Sequence, residues 1–260
     1  MKRVVLVAIV MLAVIASGVS AQTTIKGMAF NGATGLIATP TAQIGWERTA
    51  NVGLDFGFHY INDDAGGSAI PKINVSLFRK VEVGLAYDTM GPGGDNSSAF
   101  MIPAKFQFYQ AGVSAAGFGT NIQFGELNGD DFNAVQIYLV GTYGGQFFGM
   151  PAATTVVFGK TFSDLVDDGN LDFSMGFELT LLPEVFRGHV QWLNDFSNYS
   201  YQVRPTGARP DNRGAYNTGL RILPIMGGQY KFVIDAFLTD VFDGNDRAFA
   251  LGGTFGLGLR

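Results

Sequence analysis

The chain has two histidines, His59 and His189, and no cysteine. Nucleophilic hydrolysis or acyl transfer would need a histidine beside a serine or a carboxylate. Neither histidine stands in a recognisable nucleophile motif. The missing cysteines exclude thiolate metal sites, cysteine nucleophiles, disulfide staples and a cysteine-linked lipid anchor. Asp167-Asp168-Gly169-Asn170 and Asp243-Gly244-Asn245-Asp246 look like fragments of calcium loops. Both lack the twelve-residue spacing and closing glutamate of an EF-hand, and Asp, Asn and Gly are ordinary turn formers. Gly91-Pro92-Gly93-Gly94 lacks the lysine and following helix of a phosphate cradle. What remains is a set of charges in apolar surroundings: Asp55, Glu82, Asp88, Lys105, Lys160, Asp172, Glu178, Arg221, Lys231 and Asp235. No cofactor and no metal is implied by any of them.

The surroundings of these charges show a strict period. From Asn51 to Ile61 the chain reads NVGLDFGFHYI. Val52, Leu54, Phe56, Phe58 and Tyr60 fall on one face, and Asp55 and His59 on the other. A period of two puts the two sets on opposite sides of a β-strand. Residues 171–181 repeat the pattern, with Phe173, Met175, Phe177 and Leu179 on one face and Asp172, Glu178 and three small residues on the other. About twelve strands can be read this way, over 50–61, 71–78, 81–89, 99–110, 115–125, 133–143, 153–162, 171–181, 189–196, 214–223, 230–239 and 247–259. Segments of ~9–11 residues suit a tilted membrane strand.

The N-terminus explains why the apolar face can stay uncovered. Lys2 and Arg3 precede an apolar run, and Val19-Ser20-Ala21 supplies small residues for cleavage. This reads as a secretory signal over residues 1–21, too short to span a bilayer as a helix. An exported chain whose strands alternate to the last residue suggests a closed sheet facing lipid. The expected fold is all-β: a transmembrane, antiparallel, up-and-down β-barrel over 49–260 in the outer membrane. Residues 22–48, rich in Gly and Thr, read as a periplasmic lead-in that pairs briefly or tucks into the barrel mouth. Phenylalanine (23 of 260 residues) excludes a disordered glycine-rich chain, and the net charge of −5 argues against nucleic acid as a partner.

Charge sorts between the two sets of connections. With the N-terminus periplasmic, the odd-to-even connections carry Asp63, Asp64, Asp95, Glu126, Asp130, Asp131, Asp164, Asp167, Asp168, Asp211, Asp240, Asp243 and Asp246, with Arg204, Arg209 and Arg213 of one loop as their only bases. The other set carries Glu184 against Arg79, Lys80 and Arg187. The first set is expected outside, as longer loops, and the second as periplasmic turns. His59 and His189 then fall toward opposite rims and cannot share a site. Trp46, Trp192, Phe78, Phe108, Tyr143, Phe186 and Tyr230 are expected in interfacial aromatic girdles.

The run Gly32-Ala33-Thr34-Gly35-Leu36-Ile37-Ala38-Thr39-Pro40-Thr41-Ala42, followed by the Asn51–Tyr60 strand, resembles the start of the YjbH-like outer-membrane barrels. That resemblance implies a barrel connected with exopolysaccharide production and export, with polysaccharide export components as partners. It implies no catalytic residue. The other expected partners are outer-membrane lipid, lipopolysaccharide and the barrel-assembly machinery. The C-terminal Leu259-Arg260 departs from the aromatic ending common in such barrels. The expected function is a non-enzymatic barrel linked to surface polysaccharide export or envelope organisation. The alternatives are a small porin-like channel and, third, a lipid-modifying enzyme. The inward charges read as an ion-pair network that plugs a narrow bore, with a polar solute pathway as the alternative.

Overall fold

A computed structural model describes residues 26–46, 50–63, 66–89, 97–127, 129–164, 171–197, 214–243 and 247–259. The expected signal segment lies outside these residues. So do the Gly91–Gly94 run, the Asp167–Asn170 run, several loop acids and the three arginines at 204, 209 and 213.

Twelve antiparallel strands form one closed barrel in sequence order. They are β1 (Val52–Asp63), β2 (Gly66–Leu77), β3 (Val81–Asp88), β4 (Ser98–Ala111), β5 (Ser114–Leu127), β6 (Asp130–Phe147), β7 (Met150–Ser163), β8 (Asp172–Thr180), β9 (Val190–Ser197), β10 (Ala215–Gly227), β11 (Tyr230–Thr239) and β12 (Ala248–Leu259). β12 closes on β1 from Val52–Leu259 to Asn62–Phe249. Closure leaves no unpaired edge, which a sheet in hydrocarbon requires.

The alternation decides what each face meets. In β1, Phe56, Phe58 and Tyr60 are exposed, while Asp55 and His59 are 1% and 0% exposed. Outward rings also stack across the ladder, as in Phe106 with Phe118 at 5.4 Å and Phe158 with Phe173 at 5.3 Å. In water such a surface would aggregate; in lipid it is solvated.

Three connections are shorter than the sequence suggests. β1 and β2 pair out to Asp63–Gly66, β5 and β6 to Leu127–Asp130, and β6 and β7 to Phe147–Met150. Stretches such as 66–70 and 144–147 read as loops because their side chains do not alternate. Ladder hydrogen bonds come from the backbone and do not require them to. The 181–189 connection holds one helical turn, α1 (Pro183–Phe186). Lys160 also differs from expectation. It pairs in register with outward-facing Ile137, so its side chain is on the lipid side near the acid-rich rim. A lysine stem can lie along such a surface with its head in water.

The largest difference concerns the lead-in. Residues 26–46 lie inside the barrel, and nearly all are buried. The segment goes deeper than a tuck into the mouth, and its lack of alternation is the pattern of a chain enclosed on every side. Two isolated bridges, Met28–Thr34 and Gly35–Pro40, fold the segment onto itself.

Candidate functional site

The lumen is the site, and its main occupant is the segment 26–46, called the plug below. Only one of its residues, Lys26, is charged. Most others are Gly, Ala, Thr or aliphatic, so its backbone can approach charged wall residues closely. The plug carbonyls receive the wall cations. Lys72 Nζ donates to Ala29 O at 2.8 Å, and Lys105 Nζ to Thr41 O at 2.6 Å and Thr34 O at 3.1 Å. Arg221 donates to Gly35 O at 2.9 Å and Leu36 O at 3.2 Å. Lys231 donates to Lys26 O at 3.0 Å and Gly45 O at 3.5 Å.

Plug amides meet the wall anions in the same way. Asp195 Oδ2 accepts three successive amides, from Ile37 at 3.1 Å, Ala38 at 2.8 Å and Thr39 at 2.9 Å. Glu82 Oε1 accepts Thr34 N–H at 2.9 Å. A charge taken out of water needs such partners or costs several kcal/mol. The plug backbone therefore does for the wall charges what water would do in an open lumen.

The wall charges also pair among themselves. Arg221 grips Asp235 with two bonds, at 2.7 and 3.2 Å, and Asp235 also meets His59 Nε2 at 3.1 Å. Lys105 pairs with Glu82 at 2.8 Å, and Lys231 with Asp55 at 2.8 Å. Glu178 takes the plug's own Lys26 at 2.6 Å. Asp88 is buried beside the Ser68 hydroxyl. Asp172 lies higher on β8, half-buried, and accepts Thr161 Oγ1 at 2.6 Å and Gln136 Nε2 at 3.4 Å. Glu178 and Asp172 share a strand with each other but not a partner with Arg221.

Trp46 is inside the lumen and belongs to no girdle. Its Nε1 donates to Asp55 at 2.8 Å and its ring lies 5.0 Å from Lys231 Nζ. The bare backbones of Gly53 and Gly258 make room for the indole. By contrast Phe78, Phe108, Phe186 and Tyr230 are exposed near the strand ends. His59 stacks on Phe237 at 5.9 Å and meets Phe30 edge-on at 5.3 Å. His189 instead engages the Leu223 carbonyl, so the two rings have separate surroundings. Among the described residues, no three His, Cys, Asp or Glu side chains are placed to hold a metal.

Charge is distributed unevenly around the wall. β1 to β4 and β8 to β11 carry the charged inward residues. Below the rim, the inward positions of β5 to β7 are uncharged, among them Asn121, Gln123, Gln136, Tyr138 and Thr155. Toward the acid-rich rim the wall turns apolar: Ile61, Ile70, Met101, Leu193 and Phe237 cluster around plug residues Phe30, Leu36 and Ile37. Three participants were not singled out from the sequence: Lys26, Lys72 and Asp195. Parity with outward Ile73 marks Lys72 as inward. Nothing local marks Asp195 or Lys26, whose partners across the plug–wall contact are more than 150 residues away.

The fold has counterparts among solved structures. A KdgM porin in complex with disordered oligogalacturonate aligns at a TM-score of 0.50 and 9% identity, covering 80% of this chain and 99% of that one. A NanC porin aligns at a TM-score of 0.51 and 9% identity, covering 79% of this chain and 100% of that one. No family model and no curated protein matches the sequence. The chain is an outer-membrane β-barrel. At this identity the likeness extends to the fold and no further.

Proposed function

We propose that this protein is a gated, porin-like channel whose resting state is closed by residues 26–46. The observation that carries the reading is where the plug begins and ends. Lys231, the second residue of β11, holds the carbonyls of both Lys26 and Gly45 beside the rim formed by the short turns. Both ends of the plug therefore leave by one mouth, and the loop can withdraw without unthreading the wall. Its grip on the wall is largely polar, so water can replace each bond as the plug leaves. The porin fold of the similar structures supports the same reading.

A thiol lock tests it, because the chain has no cysteine to interfere. The hydroxyls of Thr39 on the plug and Ser174 on β8 are in direct contact. The Thr39→Cys/Ser174→Cys protein should be silent in planar bilayers when oxidised and should open intermittently when reduced. Equal, steady conductance in both states would overturn the gate. So would a folded reduced protein that never opens.

A second reading rests on the YjbH-like resemblance. The residues that carry it, Gly32 to Ala42, are the plug's central stretch. On this reading the plug ties the barrel to surface polysaccharide export. Normal surface polysaccharide in a deletion strain would remove it.

A further inference from the structure

We infer that the open lumen selects cations and uncharged solutes and rejects polyanions; this rests on the gated reading. Three wall pairs, Arg221–Asp235, Lys105–Glu82 and Lys231–Asp55, lie wholly within the wall and survive plug release. Over the whole wall the inward acids are Asp55, Glu82, Asp88, Asp172, Glu178, Asp195 and Asp235, against the bases Lys72, Lys105, Arg221 and Lys231. Seven acids against four bases give the open lumen a net negative charge.

Their placement strengthens the effect. Glu178 and Asp195 sit on neighbouring strands: Asp195 pairs in register with Gly176, two residues along β8 from Glu178. Asp172 continues the line toward the acid-rich rim. Plug departure removes Lys26 from Glu178 and three amides from Asp195. It thereby uncovers an acidic stripe on β8 and β9 that borders the uncharged inner surface of β5 to β7. Hydroxyls and amides there offer hydrogen bonds to a neutral or cationic solute without a compensating positive charge.

The acid-rich mouth acts in the same direction. Its described residues include Asp130, Asp131, Asp164, Asp240 and Asp243, with Arg247 as a base among them and Lys160 on the outer face nearby. Like-signed charge along a narrow low-dielectric path concentrates counter-ions and repels co-ions. The lumen is therefore a poor route for acidic oligosaccharides. If a polysaccharide passes, it is neutral or basic.

The test unseats the plug while leaving the wall intact. A Cβ at Gly27 would meet Arg221 Cζ at 2.5 Å, and one at Gly35 would meet Thr39 O at 2.6 Å. The full-length Gly27→Leu/Gly35→Val protein is placed in planar bilayers under a KCl gradient. Its reversal potential should shift toward the potassium equilibrium potential. Adding Glu178→Gln and Asp195→Asn should bring the shift back toward zero, and adding Lys72→Gln instead should enlarge it. Oligogalacturonate should leave the current unchanged, whereas spermidine should block it. An anion preference, or a shift indifferent to the two carboxylates, overturns the selectivity and leaves the gate standing. A folded variant that never conducts overturns both. If the double variant does not fold, the brief openings of the reduced Thr39→Cys/Ser174→Cys protein give the same reversal potential to read.

Discussion

Lys26 Nζ lies 2.6 Å from Glu178 Oε1, with both side chains buried. It is the sole ion pair that residues 26–46 can make, because Lys26 is their sole charge. Breaking a buried pair by removing one partner typically costs ~3–5 kcal/mol, mostly from the charge left behind. Lys26→Gln should therefore raise open probability in single-channel records by orders of magnitude. The exchanged pair Lys26→Glu/Glu178→Lys should return it toward the wild-type level. An exchanged protein as leaky as the single variant would show that this pair does not hold the plug.

Asp195 makes a different prediction, because its plug partners are amides. Asp195→Ala removes the acceptor of three backbone donors and leaves them buried. Bonds to a charged group are worth roughly 1.5–3 kcal/mol each when a partner is lost. Hydrogen exchange at Ile37, Ala38 and Thr39 should accelerate far more than exchange in β1 or β12. Uniform acceleration across the barrel would instead mean global destabilisation.

Arg221 is 0% exposed and serves wall and plug together. Arg221→Ala should strip Asp235 of its two-bonded partner and lower barrel stability by ~3–5 kcal/mol. Arg221→Lys should recover only part of this, since an ammonium cannot reproduce the planar fork that reaches Asp235, Gly35 and Leu36 together. Urea unfolding followed by gel mobility reads both. Full recovery by lysine would show that charge alone matters here.

The wall predicts a contrast between faces. Leu139 is 61% exposed in the middle of β6 and pairs with outward Phe118 and Phe158. Leu139→Arg puts a charge into lipid and should cost ~2–4 kcal/mol near the midplane. Heat-modifiable mobility should show a lower folded fraction. A folded fraction equal to wild type would mean that this face does not meet hydrocarbon.

Orientation follows from the charge split between rims. A tag inserted at Asp130-Asp131 should be labelled on intact cells, and one at Arg79-Lys80 should not. The reverse pattern would invert the barrel and place the plug's exit outside the cell.

How much of this was legible beforehand differs sharply between wall and plug. Strand number and the facing of Asp55, Glu82 and Arg221 follow from a period of two, which needs only local sequence; closure follows from export together with an apolar face that must meet lipid. That Arg221 bonds some carboxylate follows from the cost of burying a guanidinium unpaired. Which carboxylate it would be does not follow. Among Glu178, Asp172 and Asp235, the choice depends on strand stagger around the closed wall, which sets the true heights. Gly176 shows the same boundary. Its inward direction is readable, but the side chain of Leu36 occupies the space in front of it, so a serine there would clash. A tuck of the lead-in into the mouth is readable, but its depth and contacts are not, because they use backbone groups, which every residue carries alike.

The seam between the first and last strands has one more consequence. β1 and β12 stay in register from Val52–Leu259 to Asn62–Phe249, with no bulge or gap. Such a closure has no slit through which a hydrophobic molecule could slip sideways from the interior into the bilayer. At this seam the interior communicates with its surroundings only along the barrel axis. An acyl chain lying in the membrane therefore finds no lateral door at this seam.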